Sequence, residues 1–200
     1  MPNLLGQFTT NKKRDSVLII KKKIITFENL WDNYPDSDIE HQDPKTGKDV
    51  FGDHCAIHLS DSLFKCGVLL KAFTGVRCWH CPTHSKKLGK GIHAIRAQEL
   101  ADYLKKRPFA GCPKAQQYSG KDFEKNVSGK TGIIFFKDYW RRSGETGRTG
   151  DHIDLWNKNE LASIGLILTW IRRTFSDFSE EYLSMSDLKK SKSVSFWNIS

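Results

Sequence analysis

Residues 52–70, GDHCAIHLSDSLFKCGVLL, carry one apolar stripe at helical spacing. The stripe consists of Ala56, Leu59, Leu63, Cys66 and Leu70. Asp53 is a natural N-cap, because its side chain can accept hydrogen bonds from the free amides of a first turn. The spacing predicts a helix that begins after Asp53 and buries one face in a core. Cys55 then lies in the first turn, where the helix dipole and the free amide groups favour a thiolate.

Helices are also predicted on both sides of this stretch. FENLWDNYP, residues 27–35, places apolar and aromatic side chains at helical spacing. The polar residues 36–52 that follow predict a loop. After a second loop at residues 74–91, the segment AIRAQELADYLKK, residues 94–106, predicts another amphipathic helix. Its apolar face consists of Ala97, Leu100, Ala101 and Leu104.

The second half of the chain predicts antiparallel strands. GIIFFKDYW, residues 132–140, is a compact apolar and aromatic run, and HIDLWN, residues 152–157, alternates along its length. The glycine-rich loop between them predicts a hairpin with His152 near its mouth. A helix is predicted over about residues 166–178, and SVSFWNI, residues 193–199, predicts a closing strand. Helices followed by antiparallel strands indicate the α+β class.

The composition predicts one domain with a basic tail. The chain has 200 residues, 38% of them hydrophobic, and a formal net charge of +9. More than half of that charge comes from residues 1–23, where six lysines and arginines accompany one acidic residue, Asp15. We predict a basic tail over residues 1–25, a folded domain over residues 26–200 and an anionic partner. No apolar run is long enough to predict a membrane span or a secretory signal.

Cys55 and His152 are the candidate nucleophile and base. A cysteine nucleophile needs an imidazole that the fold brings beside it and that a third group orients. A cysteine at a helix start, followed along the chain by a histidine on a strand, is the order found in papain-like hydrolases. Cys55 as an inert core thiol and His152 as a strand-edge residue are the structural alternatives. The order alone does not decide between these interpretations.

Longer segments around both residues resemble one known family. The resemblance is to the fourth family of type VI secretion amidase effectors, and it covers about residues 26–199. Its most specific parts are the pattern Cys-x-Ile-x-x-Ser-x-x-Leu in the helix and Gly-x-His-x-x-Leu-Trp-Asn in the strand. The segments in matching order are FENLWDNYP (27–35), CAIHLSDSLFKCG (55–67), IRAQELADYL (95–104), GIIFF (132–136), GDHIDLWN (150–157) and SVSFWNI (193–199).

The resemblance implies a papain-like cysteine hydrolase fold with N-terminal helices packed on an antiparallel sheet. It implies a DL-endopeptidase that cuts peptidoglycan stem peptides between D-glutamate and meso-diaminopimelate. Such effectors leave the producing cell by type VI secretion, without a signal peptide, and act in the periplasm of a rival Gram-negative cell. The expected partners are therefore the stem peptide, the secretion apparatus and an immunity protein that blocks the active-site cleft.

By this resemblance the nucleophile is Cys55 and the base is His152, but the third residue is open. The family has an aspartate at the position of Ser163. Asp154 lies two residues from His152, on the same side of the predicted strand, and is the alternative by its chemistry. Asn157 and Asn159 are weaker candidates. We expect lower activity if Ser163 orients the imidazole, because a hydroxyl stabilises an imidazolium less than a carboxylate does.

The other four cysteines predict disulfides rather than a metal site. CWHCPTH, residues 78–84, offers two cysteines and two histidines, and zinc binding there with Cys66 or Cys112 is one alternative. No second CxxC or HxxxH pair completes such a site. In the oxidising periplasm, two disulfides among Cys66, Cys78, Cys81 and Cys112 are favoured over free thiols or zinc. We therefore predict neither a metal nor a cofactor.

Two other functions are less favoured. A basic nucleic-acid-binding protein with a zinc site would explain the tail and the CxxC pair, but no predicted helix has the charge pattern of a recognition helix. A weak or inactive hydrolase fold that binds the cell wall would explain the serine at position 163. We predict a catalytic protein that binds no nucleic acid and does not insert into a membrane.

Overall fold

The computed structural model describes residues 5–8, 18–21, 23–81, 91–140, 146–163 and 188–200. Within these ranges the helices are α1 (Phe27–Asp32), α2 (Cys55–Lys65), α3 (Ala97–Lys105), α4 (Phe123–Val127) and a 3-10 helix (Leu188–Lys190). The strands are β1 (Leu5–Phe8), β2 (Leu18–Lys21), β3 (Gln116–Tyr118), β4 (Lys130–Trp140), β5 (Gly150–Lys158), β6 (Glu160–Leu161) and β7 (Ser193–Asn198).

β4 lies at the centre of a five-stranded sheet with the order β3-β7-β4-β5-β6, in which all neighbours are antiparallel. The three strands predicted from the sequence are therefore confirmed as β4, β5 and β7. In the β4–β5 hairpin, His152 pairs with Phe136. β6 pairs with β5 at Trp156 and Asn157. Among the described strands, this leaves the part of β5 that carries His152 at the edge of the sheet.

Two apolar layers enclose the sheet. Ile133 and Phe135 of β4 belong to the layer formed with α1, α2 and α3, whereas Ile134 and Phe136 belong to the layer formed with Phe123 of α4. These side chains are at most 2% exposed. Successive side chains of a strand point to opposite faces, so a run without polar alternation indicates burial on both faces. The packing of helices on an antiparallel sheet confirms the predicted α+β class.

The N-terminus of α2 differs from the prediction, because Asp53 is not its N-cap. Asp53 is exposed, and His54 occupies the N-cap position without a side-chain hydrogen bond to the helix. The His54 imidazole instead contacts Asp49, with Nε2 2.6 Å from Oδ2. Cys55 is therefore the first residue of α2. Because the helix begins at Cys55, the Cys55 amide has no helical carbonyl four residues earlier to which it can donate.

The C-terminus of α2 also lies earlier than the apolar stripe predicts. α2 ends at Lys65, and Gly67 then adopts a φ of 96° that a residue with a side chain would resist. Leu70 lies beyond this turn and is still only 1% exposed. The stripe therefore predicted burial correctly and helix length incorrectly. The helices predicted at residues 27–35 and 94–106 are confirmed as α1 and α3.

The N-terminal residues contain a hairpin, in which β1 and β2 pair antiparallel as a separate two-stranded sheet. The chain then meets the domain at Ile25, whose amide donates to the Ala110 carbonyl at 2.9 Å. The sequence did not predict β3, α4, β6 or the 3-10 helix, which are too short to show a period. The helix predicted over about residues 166–178 lies outside the described residues. No described helix is long and apolar enough to span a membrane.

Candidate active site

Cys55 is half-buried at the start of α2, and the loop before it is fixed by a single carboxylate. Asp49 accepts hydrogen bonds from the backbone amides of His41 and Phe51, both at 3.1 Å, through Oδ1. Its other oxygen contacts His54. These contacts hold both sides of the loop that delivers the chain to Cys55. The thiol is thus presented from an ordered helix start rather than from a free loop.

His152 lies on β5 close enough to Cys55 for the thiol to affect its pKa, so the structure brings the two sequence-predicted residues together. The imidazole is 16% exposed. Its Nε2 lies 3.4 Å from Asp154 Oδ2. Because Nε2 faces the carboxylate, Nδ1 is the ring nitrogen left for the sulfur. The imidazole therefore bridges a thiol on a helix and a carboxylate on its own strand.

The charges around His152 favour its protonated form. Burial opposes the imidazolium, but hydrogen bonds and charge interactions with Asp154 and Cys55 outweigh it and raise the pKa of His152 to about 10. Burial likewise opposes the Asp154 carboxylate, yet the contact with His152 holds the pKa of Asp154 below its usual range. Both shifts describe a carboxylate and an imidazolium that stabilise each other.

Asp154 is completely buried and surrounded by donors. Its Oδ1 accepts from the Leu155 amide at 2.8 Å, and its Oδ2 accepts from the Ser163 amide at 3.1 Å and the Ser163 hydroxyl at 2.5 Å. The Tyr34 hydroxyl is buried near this carboxylate and has no hydrogen-bond partner among the described residues. Burial first and then the Asp154 charge raise the pKa of Tyr34 well above its usual range. Ser163 therefore contacts Asp154, and Asp154 contacts the imidazole.

Two depressions open beside these residues. One, of about 520 Å³, is lined by Cys55 and by the charged residues Asp53, Arg96, Glu99 and Asp151. The other, of about 450 Å³, lies on the Ser163 side and is lined by Trp31, Tyr34, Asp38 and His58. The surface around the thiol is thus polar and carries both signs of charge, which suits a charged, extended ligand better than an apolar one.

The remaining cysteines form one disulfide, so the prediction of two disulfides is wrong. All five cysteines are among the described residues, and Cys78 is bonded to Cys81. Cys66 and Cys112 are buried free thiols. Each donates to a backbone carbonyl, Cys66 to Asn29 at 3.2 Å and Cys112 to Leu104 at 3.6 Å. Burial raises the pKa of the Cys112 thiol to about 12, as expected for an inert core residue.

The sequence did not predict that Tyr34 and Asp49 support the Cys55–His152 pair through neighbouring residues. Tyr34 lies in segment 27–35, whose aromatic spacing predicts only a helix, and Asp49 lies in a polar loop without periodicity. No local signal connects either residue to Asp154 or to Cys55, because the contacts depend on how the loops cross. The one usable signal was the pairing of Asp154 with His152 on one side of a strand.

The fold and the site together define the class. An α+β domain with a cysteine at a helix start beside a histidine on an antiparallel strand has the papain-like arrangement. The family model of Type VI secretion system (T6SS), amidase effector protein 4 (Tae4), matches residues 51–197, well over half of the chain. The chain belongs to this family of type VI secretion amidase effectors, which act as peptidoglycan hydrolases, and the resemblance found in the sequence is confirmed. No curated protein matches the chain.

Proposed function

We propose that this chain is a peptidoglycan amidase that cuts the stem peptide between D-glutamate and meso-diaminopimelate, with Cys55 as nucleophile and His152 as acid and base. The observation that carries the proposal is the contact series from Asp154 to His152 to Cys55 at the edge of the sheet. A thiolate beside an imidazolium is the reactive form of a cysteine hydrolase. Family membership supplies the cell-wall amide as the class of substrate.

In the first half of the reaction, the Cys55 thiolate attacks the D-glutamate carbonyl carbon and a carbon–sulfur bond forms. The free backbone amide of Cys55 donates to the developing oxyanion, because it lies at the first position of the helix. His152 gives its proton to the amine of diaminopimelate as the carbon–nitrogen bond breaks. The products of this half are the free amine and a thioester on Cys55.

In the second half, water hydrolyses the thioester. The now neutral His152 takes a proton from the water, whose oxygen bonds to the carbonyl carbon. The carbon–sulfur bond breaks, and Cys55 returns as a thiolate beside the imidazolium. No redox step or cofactor is involved in this cycle.

Asp154 is the third residue in this proposal, and Ser163 is its support. The carboxylate fixes the ring so that Nε2 faces it and stabilises the imidazolium between the two halves of the reaction. The Ser163 hydroxyl, which stands where the family has an aspartate, donates to Asp154 and holds it in place. In this proposal the carboxylate comes from Asp154 on β5, and Ser163, which follows β6, supports it. Both roles are proposals that kinetics can separate.

The charged depression beside Cys55 suits the substrate. Stem peptides carry the free carboxylates of D-glutamate and diaminopimelate as well as an amine. Arg96 offers a cation to a carboxylate, and Asp53 and Asp151 offer anions to the amine. This supports a charged peptide as ligand.

The setting of the activity follows from the family. We propose that the chain travels with the type VI secretion apparatus without a signal peptide and acts in the periplasm of a target Gram-negative cell. A cognate immunity protein is the expected inhibitor, and its binding surface would cover the cleft beside Cys55. Neither nucleic acid nor membrane insertion forms part of the proposal.

The test is hydrolysis of purified sacculi and of a defined stem tetrapeptide, with fragments followed by mass. Wild type should release fragments cut between D-glutamate and diaminopimelate, and Cys55→Ala should release none above background. Cys66→Ser is the matched control, since it removes a thiol that only donates to a carbonyl. Equal profiles for wild type and Cys55→Ala would refute the proposal, and a different cut would replace the proposed bond.

A further inference from the structure

A second cysteine and histidine cluster lies beneath the loop that precedes α2. The Nε2 of His41 lies 3.0 Å from the Nδ1 of His93, and the Cys78 sulfur lies 3.7 Å from the same nitrogen. His41 and His93 are completely buried, and Cys78 is 5% exposed. The ligand atoms of these three residues all lie within 4.8 Å of one another. This arrangement is distinct from the catalytic pair.

The outward nitrogens of both rings are already committed as donors. His41 Nδ1 lies 2.9 Å from the Ile39 carbonyl, which can only accept, and His93 Nε2 lies 3.3 Å from the Asp61 carboxylate. The inward nitrogens, His41 Nε2 and His93 Nδ1, lie 3.0 Å apart, and the Cys78 sulfur lies beside them. These are the two ring nitrogens that a metal ion in the cluster would take as ligands.

The pattern on the outer side of the rings is typical of metal ligands. Histidines that bind metals usually donate their second N–H to a carbonyl or a carboxylate, which fixes the tautomer. Ile39 provides the carbonyl here, and Asp61, which is also paired with Lys65 at 2.9 Å, provides the carboxylate. Both rings therefore have the outer contacts that usually accompany coordination through the inward nitrogen.

The spacings match a tetrahedral centre. A zinc ion with bonds of about 2.0 Å to nitrogen and about 2.3 Å to sulfur separates two nitrogens by about 3.3 Å and a nitrogen from a sulfur by about 3.6 Å. The observed separations are 3.0 Å between His41 and His93 and 3.7 Å between His93 and Cys78. The third pair, Cys78 and His41, lies within 4.8 Å.

Cys81 is the candidate for a fourth ligand, because its sulfur is bonded to that of Cys78 in this structure. The chain packs closely around Cys78. A side chain at Gly91 would meet the Cys78 carbonyl oxygen at 2.1 Å, and the His93 amide donates to the Cys78 sulfur at 3.4 Å. Reduction of the disulfide would free a second thiol next to the three clustered residues.

We propose that the reduced chain binds one Zn²⁺ through Cys78, Cys81, His41 and His93. A phosphine reductant cleaves the disulfide by taking up the oxygen of one water molecule, which leaves two thiols. Zinc binding then releases both thiol protons and forms two zinc–sulfur and two zinc–nitrogen bonds. The disulfide and the zinc centre are alternative states of the same four side chains. This set differs from the alternatives raised by the sequence, in which His80 and His84 were the histidines.

The centre would join three parts of the chain. His41 belongs to the loop before Cys55, Cys78 and Cys81 belong to the loop after α2, and His93 rests on Asp61 of α2. Zinc would therefore lock the loop that carries one wall of the catalytic depression onto the helix that carries the nucleophile. The expected role is structural, since all four ligand positions belong to the protein.

The direct test is metal loading of the full-length chain. The protein is reduced with a phosphine, incubated with Zn²⁺, freed of excess metal by gel filtration and analysed by mass spectrometry of elements. About one zinc per chain is expected after reduction, and less than about a tenth of that without it. Loading with Co²⁺ should give the visible bands of tetrahedral cobalt and a thiolate-to-cobalt charge-transfer band. An octahedral cobalt spectrum, or zinc retained equally without reduction, would overturn the proposal.

Variants test the ligand set. Cys81→Ser and His41→Gln should each weaken zinc binding by at least about 100-fold in competition with a chelator. His80→Gln is the matched control, because His80 lies between the two cysteines but is exposed. Equal losses in His80→Gln and His41→Gln would overturn the assignment. The cobalt spectrum of the wild type tests the centre even where a variant fails to fold.

Discussion

The Cys55–His152 pair and the cluster of Cys78, His41 and His93 contain the same residue types, but the pKa values of their histidines shift in opposite directions. At the catalytic pair, His152 has a carboxylate on one side and a thiol on the other, and its pKa rises to about 10. In the second cluster, burial first and then the neighbouring His93 lower the pKa of His41. The same residue types are thus held in opposite protonation states.

A third group beside a cysteine and histidine pair therefore determines which chemistry the pair can perform. His152 is flanked by groups that become negative, so it keeps a proton, which in the proposed mechanism passes to the leaving amine. His41 faces a second imidazole inside a closed cluster, so it keeps a lone pair and admits no substrate. α2 links the two, with Cys55 at its first residue and Asp61 two turns later.

His152→Gln should have the largest effect and tests the first half of this comparison, the Cys55–His152 pair. We expect kcat/KM on the stem tetrapeptide to fall by about 10,000-fold or more, because the thiolate loses both its counterion and its proton donor. His80→Gln makes the same chemical change at an exposed histidine and should leave the rate unchanged. Comparable losses in both variants would show that His152 has no special role.

Asp154→Asn should give the next largest effect. An amide keeps the shape of the carboxylate but can turn an N–H towards the ring and cannot stabilise the imidazolium, so kcat should fall by about 100- to 10,000-fold. The pH profile should move as well, since the pKa of His152 loses one cause of its rise. The measurement is kcat across pH. A fall in stability without any change in the profile would make Asp154 structural.

Ser163→Ala should cost less, about tenfold or below in kcat. The variant removes the hydroxyl donor but keeps the backbone amide that also binds Asp154. A loss of one hydrogen bond to a charged group is worth about 1.5 to 3 kcal/mol at most, and only part of it would reach the transition state. If Ser163→Ala instead equals Asp154→Asn, the serine rather than the aspartate is the orienting residue.

The smallest effect concerns the pH dependence of stability. The raised pKa of His152 stabilises the folded state fully below pH 6.5, the ordinary value, and this contribution is lost as the pH rises through about 10. Urea unfolding of wild type should therefore weaken from neutral to alkaline pH more than that of His152→Gln. A difference between them that does not vary with pH would place the neutral imidazole in the folded protein.

The sequence predicted the parts of the fold that carry a period. The stripe from Ala56 to Leu70 indicated the buried face correctly, and the apolar run of β4 indicated a strand buried on both sides. The sequence did not predict the ends of α2 correctly, because they depend on the local fold rather than on a period. His54, whose ring binds Asp49, takes the N-cap position predicted for Asp53, and a turn at Gly67 ends α2 before the stripe ends.

The candidate site divides in the same way. Cys55 and His152 could be predicted because a helix start and a strand mouth leave local signals, and longer flanking segments resembled a known family. The position of Ser163 beneath Asp154, and the meeting of His41 with His93, could not. The first depends on how the chain turns back after β5, and the second joins residues 52 positions apart. Side chains in loops give no sign of which group they will meet.

Because Asp154 is completely buried, dissolved salt affects its pairing with His152 much less than it affects the exposed charges of the protein. Ions in the surrounding solution do not reach the carboxylate, so they leave its pairing with the imidazole nearly unscreened. The net positive charge of the chain, in contrast, is exposed to those ions wherever it attracts an anionic wall. We therefore expect ionic strength to change binding to an anionic wall more than it changes the bond-breaking steps of the proposed reaction.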